Sequence, residues 1–525
     1  MSDFRCTPFR TALRSMFVAL LILPAAAMAA TDDADDADEA PPAAERTVQP
    51  AAAGATLSRE ALVARLTDLL ADRRAAGATI GLAVFDATSG EQLFASKSDL
   101  PLIPASNMKL VATAAALVQL GADWRFRTLV GLLGKDLVVV GGGDPNLSGR
   151  FYNGDTVAPF RTWAAVLRER GLVRIDGDLV IDDSLFEAAR IHPRWQAEDV
   201  GQHYAAPVGA LTTNDSCIDV YLRGAAQSGQ PAEVRLDPQT AYIQIAGAVR
   251  TERGKGDTFA IALRPNPRRL VLSGVLRPGI VAKVHWEPVD DPGLYAGTVI
   301  KETLQAAGLP IAGNVVRRRI WTDAWRMPEG FRCQIIHTSS LAQTVCVANT
   351  RSQNLYAECI LKTLAAYQKS RAAGDARWPT AQGSWSAGSA AAGAVLADLG
   401  LKTAGCVFDD GSGLSPDNRL TAGLIAGLLA KMATRPEAKL WMSSLAGYGE
   451  PGGSLRQWPK APALDGRVRG KSGKLTAPAS RCLSGYVQTR SGKTLAFSIL
   501  ANHIRGIHYP VMEWMADTLS DLTRY

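Results

Sequence analysis

The chain has 525 residues, 47% of them hydrophobic and 20% charged, so it can build more than one packed domain and is not a disordered protein. Its formal net charge is +7 at pH 7 with no run of basic residues, which argues against a nucleic-acid-binding protein. A weak attraction to anionic wall polymers or membrane surfaces fits this charge better.

The first 29 residues are typical of a secretory signal peptide. Arg5, Arg10 and Arg14 precede the apolar run MFVALLILPAAA, and Ala27-Met28-Ala29 offers small residues for cleavage after Ala29. The apolar run is too short for a comfortable membrane span, and no later segment is long and apolar enough to be one. The sequence therefore predicts an exported, periplasmic protein whose association with the membrane is at most peripheral.

Regular structure is expected only after an acidic, Ala/Pro-rich stretch, 30–56, which indicates a disordered linker. An amphipathic helix with Ser58 as N-cap follows, and then a hairpin that turns at 88–90. The segment PASNMKLVATAAALVQLG, 104–121, predicts a helix that is apolar on nearly every side and therefore runs through a core.

The character of the chain changes beyond this helix. Strand-like runs and one helix alternate up to about 216, and nearly every segment of 217–290 favours a strand, as in a sandwich or small barrel. Long helices return after 327, and the chain ends with two strands and an amphipathic helix from about Pro510.

The helix that begins at Pro104 carries Ser106 and Lys109 three positions apart, so both side chains lie on one face. Ser106 falls in the first turn, where free backbone N–H groups and the helix dipole stabilise a developing oxyanion. A lysine in apolar surroundings is desolvated, which favours the neutral amine that can accept a proton. The pair suggests a nucleophile and its base, although this spacing alone also arises by chance in a chain of this length.

Two further motifs strengthen this interpretation. Ser352-x-Asn354 lies in RSQNLYAE, and Lys471-Ser472-Gly473 lies on a predicted strand. Ser-x-x-Lys, Ser-x-Asn and Lys-Ser/Thr-Gly, in this order, resemble the active-site motifs of penicillin-binding proteins and serine β-lactamases. Each triplet is weak by itself, whereas the ordered set is specific.

The spacing of the motifs narrows the resemblance. Ser106 and Ser352 lie 246 positions apart (352 − 106), far more than in a simple β-lactamase. An insertion of this size resembles the class C low-molecular-mass penicillin-binding proteins, the D-alanyl-D-alanine carboxypeptidase/endopeptidase family. Three more stretches are similar to that family: GGGDPNL (141–147), YAAPVGAL (204–211) and DDGSGLS (409–415).

The chain departs from the family pattern at two positions. Pro416 stands where the family usually has a basic residue, which puts family-like recognition of the substrate side chain in question. Ser472 replaces the commoner threonine but keeps the hydroxyl group.

The resemblance implies an α/β (α+β) catalytic domain of the penicillin-binding/serine β-lactamase type. This domain is a sheet with helices on both faces, built from both ends of the chain and interrupted by a large, mostly β, two-part insertion. The predicted parts are a signal peptide (1–29), a linker (30–56), the catalytic domain first part (57–125), the inserted domain first part (126–216), a nested β domain (217–290), the inserted domain return (291–327) and the catalytic domain second part (328–525).

The resemblance also implies roles for the motif residues. Ser106 attacks the carbonyl of the penultimate D-alanine, and Lys109 takes its proton. Ser352 relays that proton toward the leaving amine, and Asn354 hydrogen-bonds the substrate amide. Lys471 supplies positive charge that favours the neutral form of Lys109.

Further substrate contacts follow from the same resemblance. Ser472 binds the terminal carboxylate, and the backbone N–H groups of Ser106 and Lys474 form the oxyanion hole. Gly473, between Ser472 and Lys474, belongs to the same substrate-binding segment. Asp182 is most simply a turn residue at a strand end, and alternatively binds a charged substrate group. The expected ligands are peptidoglycan stem peptides and cross-links and β-lactam antibiotics, with no metal or organic cofactor.

Two other functions stay open at this stage. A serine β-lactamase has the same chemistry, but it has no evident use for the insertion, and no carboxylate for deacylation can be identified. A wall-binding scaffold with a decayed site is disfavoured because all three motifs are intact. The sequence does not fix the oligomeric state. It also does not pair the six cysteines beyond the signal region, for which buried free thiols are the alternative to disulfides.

Overall fold

The computed structural model describes residues 56–254, 256–265, 268–367 and 378–525. The predicted signal peptide and nearly all of the predicted linker lie outside the described residues. The α-helices are α1 (Arg59–Leu70), α2 (Met108–Leu120), α3 (Ala158–Glu169), α4 (Pro292–Ala306), α5 (Leu341–Thr350), α6 (Asn354–Ala366), α7 (Trp385–Asp398), α8 (Ala422–Ala433), α9 (Ala438–Ser444) and α10 (Tyr509–Thr523).

The strands form four sheets, and their bounds are β1 (Thr79–Asp86), β2 (Gln92–Ser96), β3 (Arg125–Leu133), β4 (Asp136–Val140), β5 (Leu179–Asp182), β6 (Cys217–Arg223), β7 (Glu233–Asp237), β8 (Gln244–Gly247), β9 (Arg250–Thr251), β10 (Thr258–Pro265), β11 (Arg268–Leu276), β12 (Val281–Pro288), β13 (Val315–Arg317), β14 (Arg332–Ser340), β15 (Ala446–Gly447), β16 (Val468–Leu475), β17 (Ser480–Gln488) and β18 (Thr494–Asn502).

The largest sheet joins the two ends of the described chain. Its strand order is β15-β16-β17-β18-β1-β2, and β1 pairs antiparallel with β18 in a register that places Leu82 opposite Ile499. Successive residues of β1 point to opposite faces, so Leu82 packs with α1 and α10 whereas Ala83 packs with α2 and α8. The predicted fold class, a sheet with helices on both faces, is therefore confirmed.

Helix α2 runs through the interior, as its sequence predicts. Every residue from Met108 to Leu117 is buried, including Lys109, and the helix packs against α5, α6, α7 and α8. A helix that is apolar on all sides gains most from such a position, because each of its faces loses contact with water. Lys109, the one lysine of this helix, is buried in the core for the same reason.

The inserted part has its own sheets and its own apolar core. A five-stranded sheet in the order β13-β5-β4-β3-β14 carries α3 and α4, and the strands β6 to β12 form two smaller sheets within the range predicted for the nested β domain. Strand β14 pairs with β3, opposite Arg125–Leu132, and so belongs to the inserted sheet. The chain consequently returns to the larger sheet's helices at α5, later than the predicted boundary at 328.

Ion pairs join α10 to α1 and to the segment that follows α1. Asp521 on α10 accepts from Arg65 on α1 at 3.0 Å, and Asp517 pairs with Arg74, beyond the end of α1, at 2.7 Å. The acidic side of α10 is therefore partly engaged with these residues. No helix among the described residues is long and apolar enough to cross a membrane.

All six cysteines beyond the signal region are free thiols. Cys217, Cys359 and Cys482 are buried, and burial raises the pKa of the Cys482 thiol to about 12. The sequence left disulfides and free thiols as alternatives, and the structure contains free thiols at these six positions.

Candidate active site

The first motif forms the turn that opens α2. Ser106 lies in a 3₁₀ turn, Ala105–Asn107, and its hydroxyl is partly exposed. Lys109 is fully buried one turn further on, and its Nζ lies 3.0 Å from Ser106 Oγ. The predicted contact between the two side chains is therefore present, with the hydroxyl at the surface and the amine in the core.

Two oxygens besides Ser106 accept hydrogen bonds from Lys109. Nζ donates to Asn354 Oδ1 at 2.5 Å and to the main-chain carbonyl of Ser412 at 2.8 Å. The Asn354 amide is oriented by its other end, because Nδ2 donates to the carbonyl of Tyr204 at 2.7 Å. The second motif thus touches the first directly, and a carbonyl from the DDGSGLS stretch, outside the three catalytic motifs, contacts the same amine.

The third motif meets the second at its serine. Lys471 on β16 is fully buried and donates from Nζ to Ser352 Oγ at 2.8 Å and to the carbonyl of Ser472 at 2.7 Å. Ser352 is partly exposed and has φ +60°, an uncommon backbone conformation for a serine. Each lysine is therefore buried behind one partly exposed serine.

Two glycines pack closely on the turn that carries Ser106. A Cβ at Gly473 would lie 2.9 Å from the Pro104 carbonyl and 3.0 Å from the Ser106 nitrogen, and a Cβ at Gly413 would overlap the carbonyl of Ala105. Ala105 has φ +44°, so the turn is strained where the glycines touch it. Their close approach holds Ser106 between β16 and the loop that contains Gly413.

Beside this turn, part of β16 extends past the short strand β15. Strand β15 pairs only with 469–470, whereas the pairing of β16 with β17 extends along the whole strand. Among the described residues, the segment 471–475 therefore has no strand partner on the side away from β17. Ser472 is nearly buried on this segment, and Lys474 is partly exposed.

Two buried carboxylates hold the loop that contacts Lys109. Glu358 Oε1 accepts from the N–H of Ser412 at 2.8 Å, and its Oε2 accepts from the N–H of Gly411 at 2.9 Å and from the indole of Trp385 at 2.8 Å. Asp410 accepts from the N–H of Gly413 at 2.7 Å. Burial and the neighbouring carboxylate of Asp410 raise the pKa of Glu358 to about 7.

Sequence reasoning missed Glu358 as part of the site. Its signal is a single carboxylate four positions after Asn354, on the same face of a helix that is otherwise almost wholly apolar. A charged side chain on a buried helix requires polar partners, so the residue could have been recognised as unusual, but the sequence does not say which groups those partners are.

The structure does not bring Asp182 into this cluster. Its carboxylate is fully buried, with Oδ2 accepting from the N–H groups of Ile320 and Trp321 and Oδ1 accepting from that of Ser184. These three bonds fix the end of β5 to the segment after β13. The geometry gives Asp182 a structural role in place of the substrate contact that the resemblance had offered as an alternative.

We expect Gly413→Ala to inactivate the site without unfolding the protein. The added Cβ would displace the Ala105 carbonyl and the adjoining Ser106, and a shift of about 1 Å at a reacting group costs roughly a hundredfold in rate. The rate of covalent modification of Ser106 by a labelled penicillin measures the loss. Gly466→Ala is the matched control, because Gly466 also has positive φ, +69°, but has open space around its Cβ position. Equal effects of the two variants would contradict a steric role for Gly413.

Deprotonation of Glu358 should lower the free energy of unfolding as the pH rises from 4.5 to about 7. Its pKa is about 7 when folded and near an ordinary 4.5 when unfolded, so its favourable contribution is complete below pH 4.5 and is lost above 7. Glu358→Gln removes this titration. The difference in unfolding free energy between variant and wild type, measured in urea from pH 4.5 to 8.5, should therefore shift in favour of the variant as pH rises. A difference that does not change with pH would contradict the assignment.

The sequence is similar to a family of known proteins. The sequence matches the model of the D-Ala-D-Ala carboxypeptidase 3 (S13) family over residues 62–518. It is 33% identical over 469 residues to a D-alanyl-D-alanine carboxypeptidase of Actinomadura sp., covering 84% of this chain and 82% of that relative. It is 27% identical over 489 residues to a carboxypeptidase of Mycobacterium tuberculosis, covering 88% and 82% of the two chains.

A solved structure shares the fold. The crystal structure of penicillin binding protein 4 from Haemophilus influenzae superposes on 88% of this chain and 99% of its own, with a TM-score of 0.70 at 20% identity. The structural match therefore includes the insertion as well as the larger sheet.

Proposed function

Because this chain belongs to the D-Ala-D-Ala carboxypeptidase 3 (S13) family, we propose that it is a serine-type D-Ala-D-Ala carboxypeptidase that acts through an acyl-enzyme and is acylated by penicillin. The observation that carries the proposal is the 3.0 Å contact between Ser106 Oγ and the buried amine of Lys109. A nucleophile within hydrogen-bonding distance of a desolvated base is the arrangement that acyl transfer requires.

Acylation begins with Ser106. Its hydroxyl passes a proton to the neutral amine of Lys109 as Oγ attacks the carbonyl carbon of the penultimate D-alanine. The negative charge that develops on the carbonyl oxygen is stabilised by backbone N–H groups, for which we propose those of Ser106 and Lys474. This assignment fits the close packing of Gly473, the neighbour of Lys474, on the Ser106 nitrogen.

Departure of the terminal D-alanine needs a proton at its nitrogen. Ser352 can deliver it, because its hydroxyl accepts from Lys471 and keeps its own hydrogen to donate; the proton that Lys109 took from Ser106 then replaces that hydrogen. The positive charge of Lys471 and the hydroxyl of Ser472 suit the terminal carboxylate of the substrate. Asn354 can bind the substrate amide only by sharing the groups that now contact Lys109 and Tyr204. Water then hydrolyses the acyl-enzyme.

The same acyl-enzyme serves a second reaction. A peptide cross-link and a free stem peptide share the acyl half, D-alanine, and differ only in the amine that leaves. We therefore propose that the enzyme also cleaves cross-links as a peptidoglycan endopeptidase. A periplasmic location, given by the signal-peptide pattern of residues 1–29, would bring it to this substrate.

One assay separates this function from its two rivals. Purified protein is mixed with a labelled penicillin and, separately, with a peptide ending in D-Ala-D-Ala. Stable labelling together with release of D-alanine supports the proposal, rapid turnover of penicillin indicates a β-lactamase, and neither reaction indicates a scaffold. Release of monomers from a purified cross-linked dimer tests the endopeptidase reaction.

Ser106→Ala should abolish covalent labelling by penicillin. Alanine keeps the turn because its side chain is smaller than that of serine, so circular dichroism should match the wild type. Peptide mass spectrometry of the labelled wild type should place the adduct on Ser106. An adduct on any other residue would refute the assignment of the nucleophile.

Lys471→Ala should slow acylation about ten- to a hundredfold. A hydrogen bond to a charged group contributes about 1.5–3 kcal/mol, and this change removes the bond to Ser352 together with the charge opposite the substrate carboxylate. Loss of a neighbouring cation should also move the rise of the acylation rate to higher pH, as a property of the coupled lysines.

Two further variants serve as controls for the Lys471→Ala measurement. Lys471→Arg keeps the charge but not the shape and should restore only part of the rate. Lys460→Ala removes an exposed lysine and should acylate at the wild-type rate. If Lys471→Ala changes neither the rate nor its pH dependence, Lys471 has no part in acylation.

A further inference from the structure

We propose that Glu358 is a positioning residue for the catalytic base: it fixes the Ser412 carbonyl so that the lone pair of the neutral Lys109 amine faces Ser106. The inference rests on the proposed function, in which Lys109 accepts the proton of Ser106. It adds a residue outside the three motifs to the acylation machinery.

The geometry of the amine gives the first step. A neutral amine has two N–H bonds and one lone pair. Asn354 Oδ1 and the carbonyl of Ser412, at 2.5 and 2.8 Å, can only accept, so together they occupy both N–H bonds. The lone pair then remains for the hydroxyl of Ser106, 3.0 Å away. If either acceptor is displaced, an N–H bond of Lys109 can turn toward Ser106, and the lone pair then no longer faces the hydroxyl group.

The two acceptors are secured by one helix. Asn354 and Glu358 lie one turn apart on α6, so both point toward α2 and the loop that includes Ser412. Asn354 contacts Lys109 itself, and its amide cannot reverse without losing the bond to the Tyr204 carbonyl. Glu358 acts on the second acceptor through the loop.

The hold of Glu358 on the loop is specific to a carboxylate. Three donors converge on its two oxygens: the N–H groups of Gly411 and Ser412 and the indole of Trp385, at 2.8 to 2.9 Å. A glutamine would present an NH₂ group in place of one oxygen, so a donor would face a donor. The peptide unit between Gly411 and Ser412 would have to rotate or shift, and the Ser412 carbonyl is the next group along the chain.

The loop has a second support that does not replace the first. Asp410 accepts from the N–H of Gly413 and from that of Ser415, at 2.7 and 2.8 Å. It thereby shapes the part of the loop that packs on Ala105. No described hydrogen bond of Asp410 involves the Ser412 peptide nitrogen, which donates to Glu358. Loss of Glu358 therefore affects the Lys109 contact more than the Gly413 contact.

The test measures acylation in Glu358→Gln by rapid mixing with an excess of penicillin, which separates the dissociation constant of the first complex from the rate constant of acylation. We expect the rate constant to fall about ten- to a hundredfold and the dissociation constant to change by less than about threefold. Molecules that fail to fold do not acylate, so they lower the amplitude of the reaction but not its rate constant. Glu187→Gln is the matched control, because Glu187 also accepts from Trp385, at its N–H, and contacts α6 through Lys362, but does not touch the 411–413 segment.

Each outcome decides the proposal. A slower acylation step in Glu358→Gln with wild-type behaviour in Glu187→Gln supports it. An unchanged acylation rate in Glu358→Gln, a change confined to the dissociation constant, or an equal loss in both variants overturns it. If Glu358→Gln gives no folded protein, Glu358→Asp, which keeps the charge but is one methylene shorter, is judged by the same criteria. A wild-type protein that penicillin does not acylate would instead refute the proposed function.

Discussion

The structure is organised around a lysine amine that is fully buried and yet must hold its lone pair in one direction. Lys109 reaches the core because α2 is apolar on every side, and its Nζ contacts oxygens of Ser106, Asn354 and Ser412, which lie in different segments. In the proposed reaction this arrangement makes the amine a base. Neither burial nor hydrogen bonding alone would make a base. Burial favours the uncharged amine, and the surrounding acceptors determine where its lone pair points.

Two residues of the site have strained backbone conformations. Ala105 and Ser352, on either side of the cluster, both have positive φ, a conformation that L-residues rarely adopt. Neighbouring residues support both turns: Gly473 and Gly413 pack closely on the first, and Lys471 donates a hydrogen bond to the serine of the second. Such strain is offset by packing elsewhere in the domain, while the hydrogen bonds with Lys109 and Lys471 orient the hydroxyl groups of Ser106 and Ser352.

The sequence predicts the parts of the site that are local or ordered along the chain. The contact of Ser106 with Lys109 follows from helical spacing, whereas the approach of Ser352 and Lys471 follows only from the family resemblance. Glu358 carried no motif, and its role depends on a loop more than 50 positions away, which no periodicity reveals. Strand β14 shows the same limit, since its residues favour a strand but do not say that its partner is β3. Asp182 was ambiguous because a buried carboxylate that binds backbone N–H groups looks, in sequence, like one that binds substrate.

The pairing of β1 with β18 also has a consequence for the biogenesis of the enzyme. A strand that forms among the first described residues finds its neighbour only after more than 400 further positions have been synthesised, and β16, which carries Lys471, is made almost as late. Closing such long loops is slow compared with forming local structure. The insertion, with its own core, can condense while the nucleophile turn still has no partner strand. The site can therefore assemble only after the strands β16 to β18 have been synthesised.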